Sequence, residues 1–223
     1  MIYPTYFDSK KSFKLFGLSN IFTLLKKLYI KNKLPKVLML SGKKGSGKST
    51  LVNHFLFSIF DKKNYSNDLR KLSDNSTFIN LFLNNIHPNI IYLFGSDFKN
   101  TKIEDVRNLK KKISQTSISD KPRFIIFDDV ELFNNNSLNA LLKTIEEPSE
   151  NNFFVLINNQ SKPLLDTIKS RSLEIKIILS EKERLDITEF LIDKFKINSL
   201  IDPIKSQLTP GSFIKFNYIC DYY

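Results

Sequence analysis

A short loop, Gly42-Lys43-Lys44-Gly45-Ser46-Gly47-Lys48-Ser49, has the residue types that hold a phosphate chain. Glycines let backbone N–H groups close around phosphate oxygens, a lysine places a cation on the β and γ phosphates, and a serine hydroxyl suits Mg²⁺. The loop therefore predicts a binding site for ATP or ADP. The alternative is a relic loop that no longer binds a nucleotide. The predicted nucleotide-binding residues are Gly42, Gly45, Ser46, Gly47, Lys48, Ser49 and Thr50, with Ser49 also contacting Mg²⁺.

Two acids, Asp128 and Asp129, follow the apolar run from Phe124 to Phe127. A phosphate-binding loop needs an acid at the end of a neighbouring strand to hold magnesium through water, and Asp128 has that position. The alternative is a strand-end turn that exposes two solvated acids. With the loop upstream, the pattern favours the magnesium role for Asp128.

Alternating strands and helices must position these groups. Apolar runs predict strands at 37–40, 90–93, 124–127, 153–157 and 173–177, and apolar stripes predict helices across 21–28, 51–59, 103–113 and 138–145. We expect an α/β fold, a five-stranded parallel sheet with helices on both faces, over residues 1–178. A small helical domain, 179–223, follows. The polar segment 61–85 reads as an insertion or connector.

The composition limits the function classes. A net charge of +11 fits nucleic-acid binding. However, 29 lysines against five arginines, together with 22 asparagines, also fit an A/T-rich coding bias, and the lysines are scattered.

A single cysteine, Cys220, excludes an internal disulfide, and neither His54 nor His87 has a partner at metal-ligand spacing, so we expect no zinc.

The chain has no apolar run of eighteen or more residues, and its first eight residues lack the charged head and apolar stretch of a signal peptide. We therefore expect a cytoplasmic protein without a membrane partner.

The ordered motifs from Asn139 to Ser172 narrow the choice among phosphate-loop proteins. The run Asn139 to Pro148, the strand 153–157 and the triplet Ser170-Arg171-Ser172 together resemble the AAA+ subunits of the bacterial DNA polymerase III sliding-clamp loader. The resemblance covers about residues 13 to 217. It implies an AAA+ sheet, and Leu208 to Ser212 resembles the start of the family's lid helix.

Three further segments look more like the family's delta-prime subunits than like its gamma or tau ATPases. They are His87-Pro88-Asn89, the stretch Lys102 to Leu109, and Asp128-Asp129 in place of Asp-Glu. Hydrolytic relatives usually carry glutamate at the position of Asp129 to orient the attacking water, and aspartate is one methylene shorter. The resemblance therefore implies weak or absent hydrolysis.

The resemblance also assigns roles to residues outside the loop. Arg171 would be an arginine finger that acts in trans on the nucleotide of an adjacent subunit, and Asn158 would be the sensor that contacts the γ-phosphate or its water. Asn159 takes that role if the register shifts by one residue. The implied partners are the gamma or tau and delta subunits, the sliding clamp, and primed DNA within the assembly.

This sequence departs from the family pattern at three places. Residues 61–90 contain no cysteine where many relatives carry a zinc module, and no arginine lies around Gly211-Ser212-Phe213, where active relatives bring one to their own γ-phosphate. The chain also stops at Tyr223 without the helical collar of its relatives, so we expect either a fragment or minimal form, or an assembly that depends on other contacts.

The expected function is that of a clamp-loader subunit that binds ATP and supplies Arg171 to a neighbouring ATPase. The first alternative is a gamma- or tau-like ATPase, or another AAA+ enzyme, that hydrolyses its own ATP. A P-loop kinase of small molecules and an interaction protein with an inactive loop stay open.

Overall fold

Five parallel strands form the central sheet of the protein. The computed structural model describes residues 4–73, 75–98, 113 and 121–222. The strands are β1 (Val37–Ser41), β4 (Ile90–Phe94), β5 (Arg123–Asp128), β6 (Asn152–Asn158) and β7 (Leu173–Lys176). They lie in the order β4-β5-β6-β1-β7, and every neighbouring pair is parallel. The predicted parallel sheet is confirmed, with each strand end within one residue of its predicted limit.

Helices separate and follow these strands. They are α1 (Ser19–Ile30), α2 (Lys48–Phe60), α3 (Thr77–Leu83), α4 (Asn135–Glu146), α5 (Asp166–Lys169), α6 (Glu181–Phe195), α7 (Pro203–Ser206) and α8 (Pro210–Tyr222). Short 3₁₀ turns span Thr5–Phe7, Ser9–Lys11 and Val130–Leu132. Of the helix predicted across 103–113, all but Ile113 lies outside the described residues.

The chain divides into two compact units. The first, which we call the sheet unit, contains Leu28–Ser41 and Thr77–Lys176. The second, the loop unit, contains Met1–Lys27, Gly42–Ser76 and Ile177–Tyr223. The boundary expected at residue 178 and the role of the final helices as a lid stay predictions.

The sheet unit has a core in which both faces of the sheet are buried. On one face, Val37, Met39, Phe127 and Phe154 cluster with the α4 side chains Leu138, Leu141 and Ile145. On the other face, Leu38, Leu40, Phe124, Ile126 and Val155 are at most 2% exposed. Strands buried on both faces read as continuous apolar runs rather than alternating ones, which is why these strands could be located in the sequence.

Helix α2 is the buried centre of the loop unit. Every residue from Leu51 to Ser58 is buried, including the polar His54. The ring of His54 lies 3.0 Å from the Tyr65 hydroxyl through Nδ1 and 2.9 Å from the Ser12 carbonyl oxygen through Nε2. Because a carbonyl only accepts, Nε2 carries the proton and Nδ1 accepts from the tyrosine. Burial lowers the pKa of His54 to about 4.

The segment expected to be an insertion is structured. Tyr65–Ser66 (β2) and Lys71–Leu72 (β3) pair as an antiparallel hairpin, and α3 follows. No helix in the described parts of the chain has both the length and the apolar character needed to cross a bilayer.

Candidate functional site

The phosphate-binding loop begins at Gly42, directly after β1. Gly45 and Gly47 have φ angles of +80° and +87°, in the left-handed region that favours glycine. A Cβ on Gly45 would also lie 2.5 Å from Thr209 Oγ1 and 2.6 Å from the Ser212 backbone nitrogen. Backbone conformation and close packing therefore both require glycine at position 45.

The Lys48 ammonium lies within this loop. Lys48 is the first residue of α2 and is only 2% exposed. Its Nζ donates to the Gly42 carbonyl at 2.7 Å, to the Lys43 carbonyl at 2.8 Å and to Ser46 Oγ at 3.3 Å. These loop oxygens are neutral, so an anionic phosphate oxygen would be a stronger partner for the buried cation.

The fit of a nucleotide can be judged from this geometry. The loop opens a thirteen-residue helix, whose N-terminus favours anions, and it presents a buried lysine at that terminus. The hydroxyl residues Ser49 and Thr50 follow in the first turn of α2 and are partly exposed. The loop residues therefore suit a phosphate chain.

The start of α8 packs against the same loop. The Gly211 N–H donates to the Gly45 carbonyl at 2.9 Å. Ser212 Oγ donates to the Lys44 carbonyl at 3.1 Å, and Thr209 Oγ1 donates to that carbonyl as well. The segment that resembles the start of a lid helix therefore touches the phosphate-binding loop within the loop unit.

The predicted acids lie at the carboxyl edge of the sheet. Asp128 is the last residue of β5 and Asn158 the last of β6, and in the sheet register Asp128 pairs with Ile157 while Ser41 pairs with Asn158. Strand pairing thus places Asp128, Asn158 and the end of β1 at one edge of the sheet unit.

Asn159 is the asparagine that reaches Asp129. Asp129 has a φ of +55°, and its Oδ1 accepts a hydrogen bond from Asn159 Nδ2. The side chain of Asn158 turns to its own loop, where Oδ1 accepts from the Gln160 N–H at 2.9 Å. Both candidates for the sensor therefore lie near the carboxyl edge of the sheet, and Asn159, the alternative candidate, is the one that contacts Asp129.

Two residues that support this edge were missed in the sequence. Glu131, only 5% exposed, accepts from the Asn159 N–H at 3.1 Å and from Ser161 Oγ at 2.7 Å, which fixes the loop after β6. Gly95 allows close approach, because a Cβ there would lie 2.2 Å from the Asp129 carbonyl oxygen. The available signal for Gly95 was a glycine two residues after the predicted strand 90–93, whereas nothing in the sequence marked Glu131 as buried.

Arg171 lies on the surface of the sheet unit, in the turn between α5 and β7. Its Nε forms a 2.6 Å salt bridge with Glu146, the last residue of α4, and both side chains are 37% exposed. Its Nη1 donates to the Thr167 carbonyl at 3.0 Å. Salt bridges this exposed contribute about 0.2–1 kcal/mol, so the guanidinium can change partners at little cost.

The described residues contain no cluster of side chains that could bind a metal ion directly. Within residues 4–73, 75–98, 113 and 121–222, no group of three or more His, Cys, Asp or Glu side chains could hold a metal ion. The magnesium role of Ser49 and Asp128 and the expected lack of zinc stay predictions.

Comparison with known proteins decides the family. Residues 17–180 match the family model described as DNA polymerase III, delta subunit, which is more than half of the chain. The chain belongs to this family. The resemblance to subunits of the DNA polymerase III clamp loader is thereby confirmed.

Similar members of the family carry several subunit names. The chain is 33% identical over 95 residues to DNA polymerase III subunit gamma of Buchnera aphidicola from Schizaphis graminum, a match that covers 42% of this chain and 26% of the relative. It is 35% identical over 89 residues to subunit delta' of Pseudomonas aeruginosa, covering 40% of this chain and 27% of the relative. The matches thus span about a quarter of each relative's length.

A solved structure is similar to this chain in fold. The RuvB Holliday junction branch migration motor of Thermotoga maritima aligns with a TM-score of 0.53 and 16% identity, over 95% of this chain and 65% of that one. At this identity the likeness establishes the fold alone. The motif Lys102 to Leu109, which favoured the delta-prime subunits in the sequence, lies outside the described residues.

Proposed function

We propose that the chain is a DNA polymerase III clamp-loader subunit that binds ATP or ADP and supplies Arg171 in trans to a neighbouring ATPase subunit while a sliding clamp is loaded onto primed DNA. Its partners are the gamma or tau and delta subunits and the clamp, and it works in the cytoplasm. The observation that carries the proposal is the exposed Arg171 guanidinium, which is held by a surface salt bridge to Glu146 and by a hydrogen bond to the Thr167 carbonyl.

The nucleotide would be held by the loop from Gly42 to Thr50. Lys48 exchanges its neutral loop acceptors for phosphate oxygens, the N–H groups at the start of α2 point at the phosphates, and Ser49 and Asp128 hold Mg²⁺, Asp128 through water. A bound nucleotide supplies the phosphoanhydride bond that any hydrolysis would break.

The role of Arg171 depends on its release from Glu146. A guanidinium is always charged and presents a planar set of donors, which suits the charge that develops on a transferring phosphoryl group. Arginine fingers accelerate such reactions by about 10³-fold or more. A free energy of about 0.2–1 kcal/mol for the Glu146 pair is small beside that gain.

Hydrolysis by this chain itself would be weak or absent. Asp129 is shorter than the glutamate of active relatives, and in this structure its carboxylate accepts a hydrogen bond from Asn159. The segment Gly211 to Phe213 supplies no arginine. We therefore assign Asp129 a degenerate water-orienting role, and Asn158 or Asn159 the sensor role.

The second candidate is a gamma- or tau-like ATPase that hydrolyses its own ATP. The observation that favours it is the intact loop, with Lys48 buried within it and Ser49 directly following. The two candidates differ in where Arg171 acts and in whether the isolated chain turns over ATP.

The test compares Arg171→Ala with Lys169→Ala in the assembled clamp loader. Lys169 is a matched control, because it lies two residues away and forms a similar exposed salt bridge, with Asp166 at 3.0 Å. We expect Arg171→Ala to lower DNA-stimulated ATP hydrolysis at the neighbouring site by about 10³-fold without loss of assembly, and Lys169→Ala to leave it unchanged. Equal rates for both variants would exclude the finger role.

A further inference from the structure

A cluster of lysines and phenylalanines forms a second surface of the loop unit, outside the phosphate-binding loop. We call it the Lys–Phe patch and define it as Lys14, Phe16, Lys71, Phe190 and Lys194. Lys14 and Lys71 form an antiparallel bridge, and the rings of Phe16 and Phe190 have centroids 4.2 Å apart at an angle of 31°. Three distant parts of the sequence thus meet at one place.

The cations of the patch lie close to the rings. Lys14 Nζ is 5.1 Å from the Phe16 centroid and 5.8 Å from that of Phe190, and Lys194 Nζ is 4.8 Å from the Phe16 centroid. All three lysines are exposed, and the Phe190 side chain is 40% exposed. The patch therefore offers solvent both positive charge and part of an aromatic ring.

The lysines of the patch form no salt bridges within the part of the chain that the structure describes. In residues 4–73, 75–98 and 121–222, no carboxylate forms a salt bridge with Lys14, Lys71 or Lys194. Partial burial, and then the like charges of Lys14 and Lys71, lower the pKa of Lys194. Three cations that repel one another would be stabilised by an anion with several charges at a similar spacing.

We infer that the Lys–Phe patch binds single-stranded nucleic acid, with its lysines at successive phosphates and the exposed part of Phe190 stacked on a base. A positive groove with aromatic side chains is how single strands are bound without sequence preference. A duplex keeps its bases stacked inside, so it would leave Phe190 unused, and an acidic peptide would engage the lysines alone. This binding is separate from the proposed nucleotide site and needs no nucleotide in the phosphate-binding loop.

The test measures binding of the full chain to a fluorescent dT oligonucleotide of about twelve nucleotides, by anisotropy at several salt concentrations without nucleotide. Each phosphate contact contributes about 0.7 to the slope of log affinity against log salt. The variant Lys14→Gln, Lys71→Gln, Lys194→Gln should therefore lose about 2 from the magnitude of that slope. The control Lys62→Gln, Lys162→Gln, Lys205→Gln removes the same charge at exposed positions elsewhere and should keep the wild-type slope.

The stacking role is tested at Phe190. Phe190→Ala should weaken binding by roughly 5- to 150-fold with an unchanged salt slope, the range found when a stacked base loses its aromatic partner. Phe190→Leu keeps an apolar side chain against Phe16, so it guards against a simple folding defect and should also lose affinity. Thermal unfolding of each variant checks that the chain remains folded.

Three results would overturn the inference. Equal salt slopes for the patch and control lysine variants would show that the patch lysines do not contact phosphates. Wild-type affinity of Phe190→Leu would show that Phe190 does not stack on a base. If a fluorescent oligo-glutamate peptide, but not the dT oligonucleotide, lost binding in the patch variant, the partner would be an acidic protein.

Discussion

Replacing Gly45 with alanine should destabilise the loop unit by two separable effects. The φ of +80° costs a residue with a Cβ about 1–2 kcal/mol. The new Cβ would also lie 2.5 Å from Thr209 Oγ1 and 2.6 Å from the Ser212 nitrogen, well inside ordinary contact distance. Overpacking of this kind costs about 1–3 kcal/mol, so the free energy of unfolding should fall by about 2–5 kcal/mol in total.

Gly47→Ala is the matched control for this substitution. Gly47 has nearly the same φ, +87°, but among the described residues its added Cβ would meet only Leu18 Cδ1, at 3.3 Å. Urea denaturation of both variants, followed by far-ultraviolet circular dichroism, should place Gly45→Ala about 1–3 kcal/mol below Gly47→Ala. Equal losses would refute the packing of the Thr209–Ser212 segment against the loop.

Three more outcomes follow from other contacts. Because the pKa of His54 is about 4 in the folded chain, against an ordinary value of 6.5 for a solvated histidine, only the unfolded chain takes up the proton between these values. The free energy of unfolding should therefore fall by about 3 kcal/mol as the pH drops from 6.5 to 4, and a pH series of urea melts on wild type and His54→Gln would show this loss only in wild type. Glu146→Gln should raise the Arg171-dependent ATPase rate of the assembled loader by about 1.4- to 5-fold, which corresponds to the free energy of about 0.2–1 kcal/mol that a surface salt bridge contributes. A fall in rate as large as that of Arg171→Ala would instead make Glu146 a positioning residue. Glu131→Gln should lower the free energy of unfolding by about 1–3 kcal/mol in urea melts, because the amide replaces one of the two carboxylate oxygens, which accept separately from the Asn159 N–H and from Ser161 Oγ, with an NH₂ donor; unchanged stability would mean that the lost bond contributes nothing net.

The strands and long helices were predictable because burial leaves a continuous record in the sequence. The run Phe124 to Phe127 is buried on both faces, and the stripe of α4 ends before Pro148, as proline requires. The hairpin of β2 and β3 could not be predicted, since strands of two residues carry no periodicity. Its position depends on contacts such as that between Tyr65 and His54.

The finer features of the site depend on single residues. Whether Asn158 or Asn159 meets Asp129 is set by where β6 ends and by the positive φ of Asp129, neither of which the sequence reveals. The burial of Glu131 opposes the usual preference of acids for solvent. The Lys–Phe patch joins residues 14, 71 and 194, which the scattered lysines of the sequence could not indicate.

The most direct test of the trans-acting role is ATP binding and hydrolysis by the purified chain, alone and then mixed with its cognate gamma, delta, clamp and primed DNA. If Arg171 serves a neighbour, the isolated chain binds ATP without turnover, and the mixture hydrolyses ATP. In the mixture, Arg171→Ala then abolishes hydrolysis at the neighbouring site. Brisk turnover by the isolated chain, with no effect of Arg171→Ala in the mixture, would contradict that role and make the chain an ATPase in its own right.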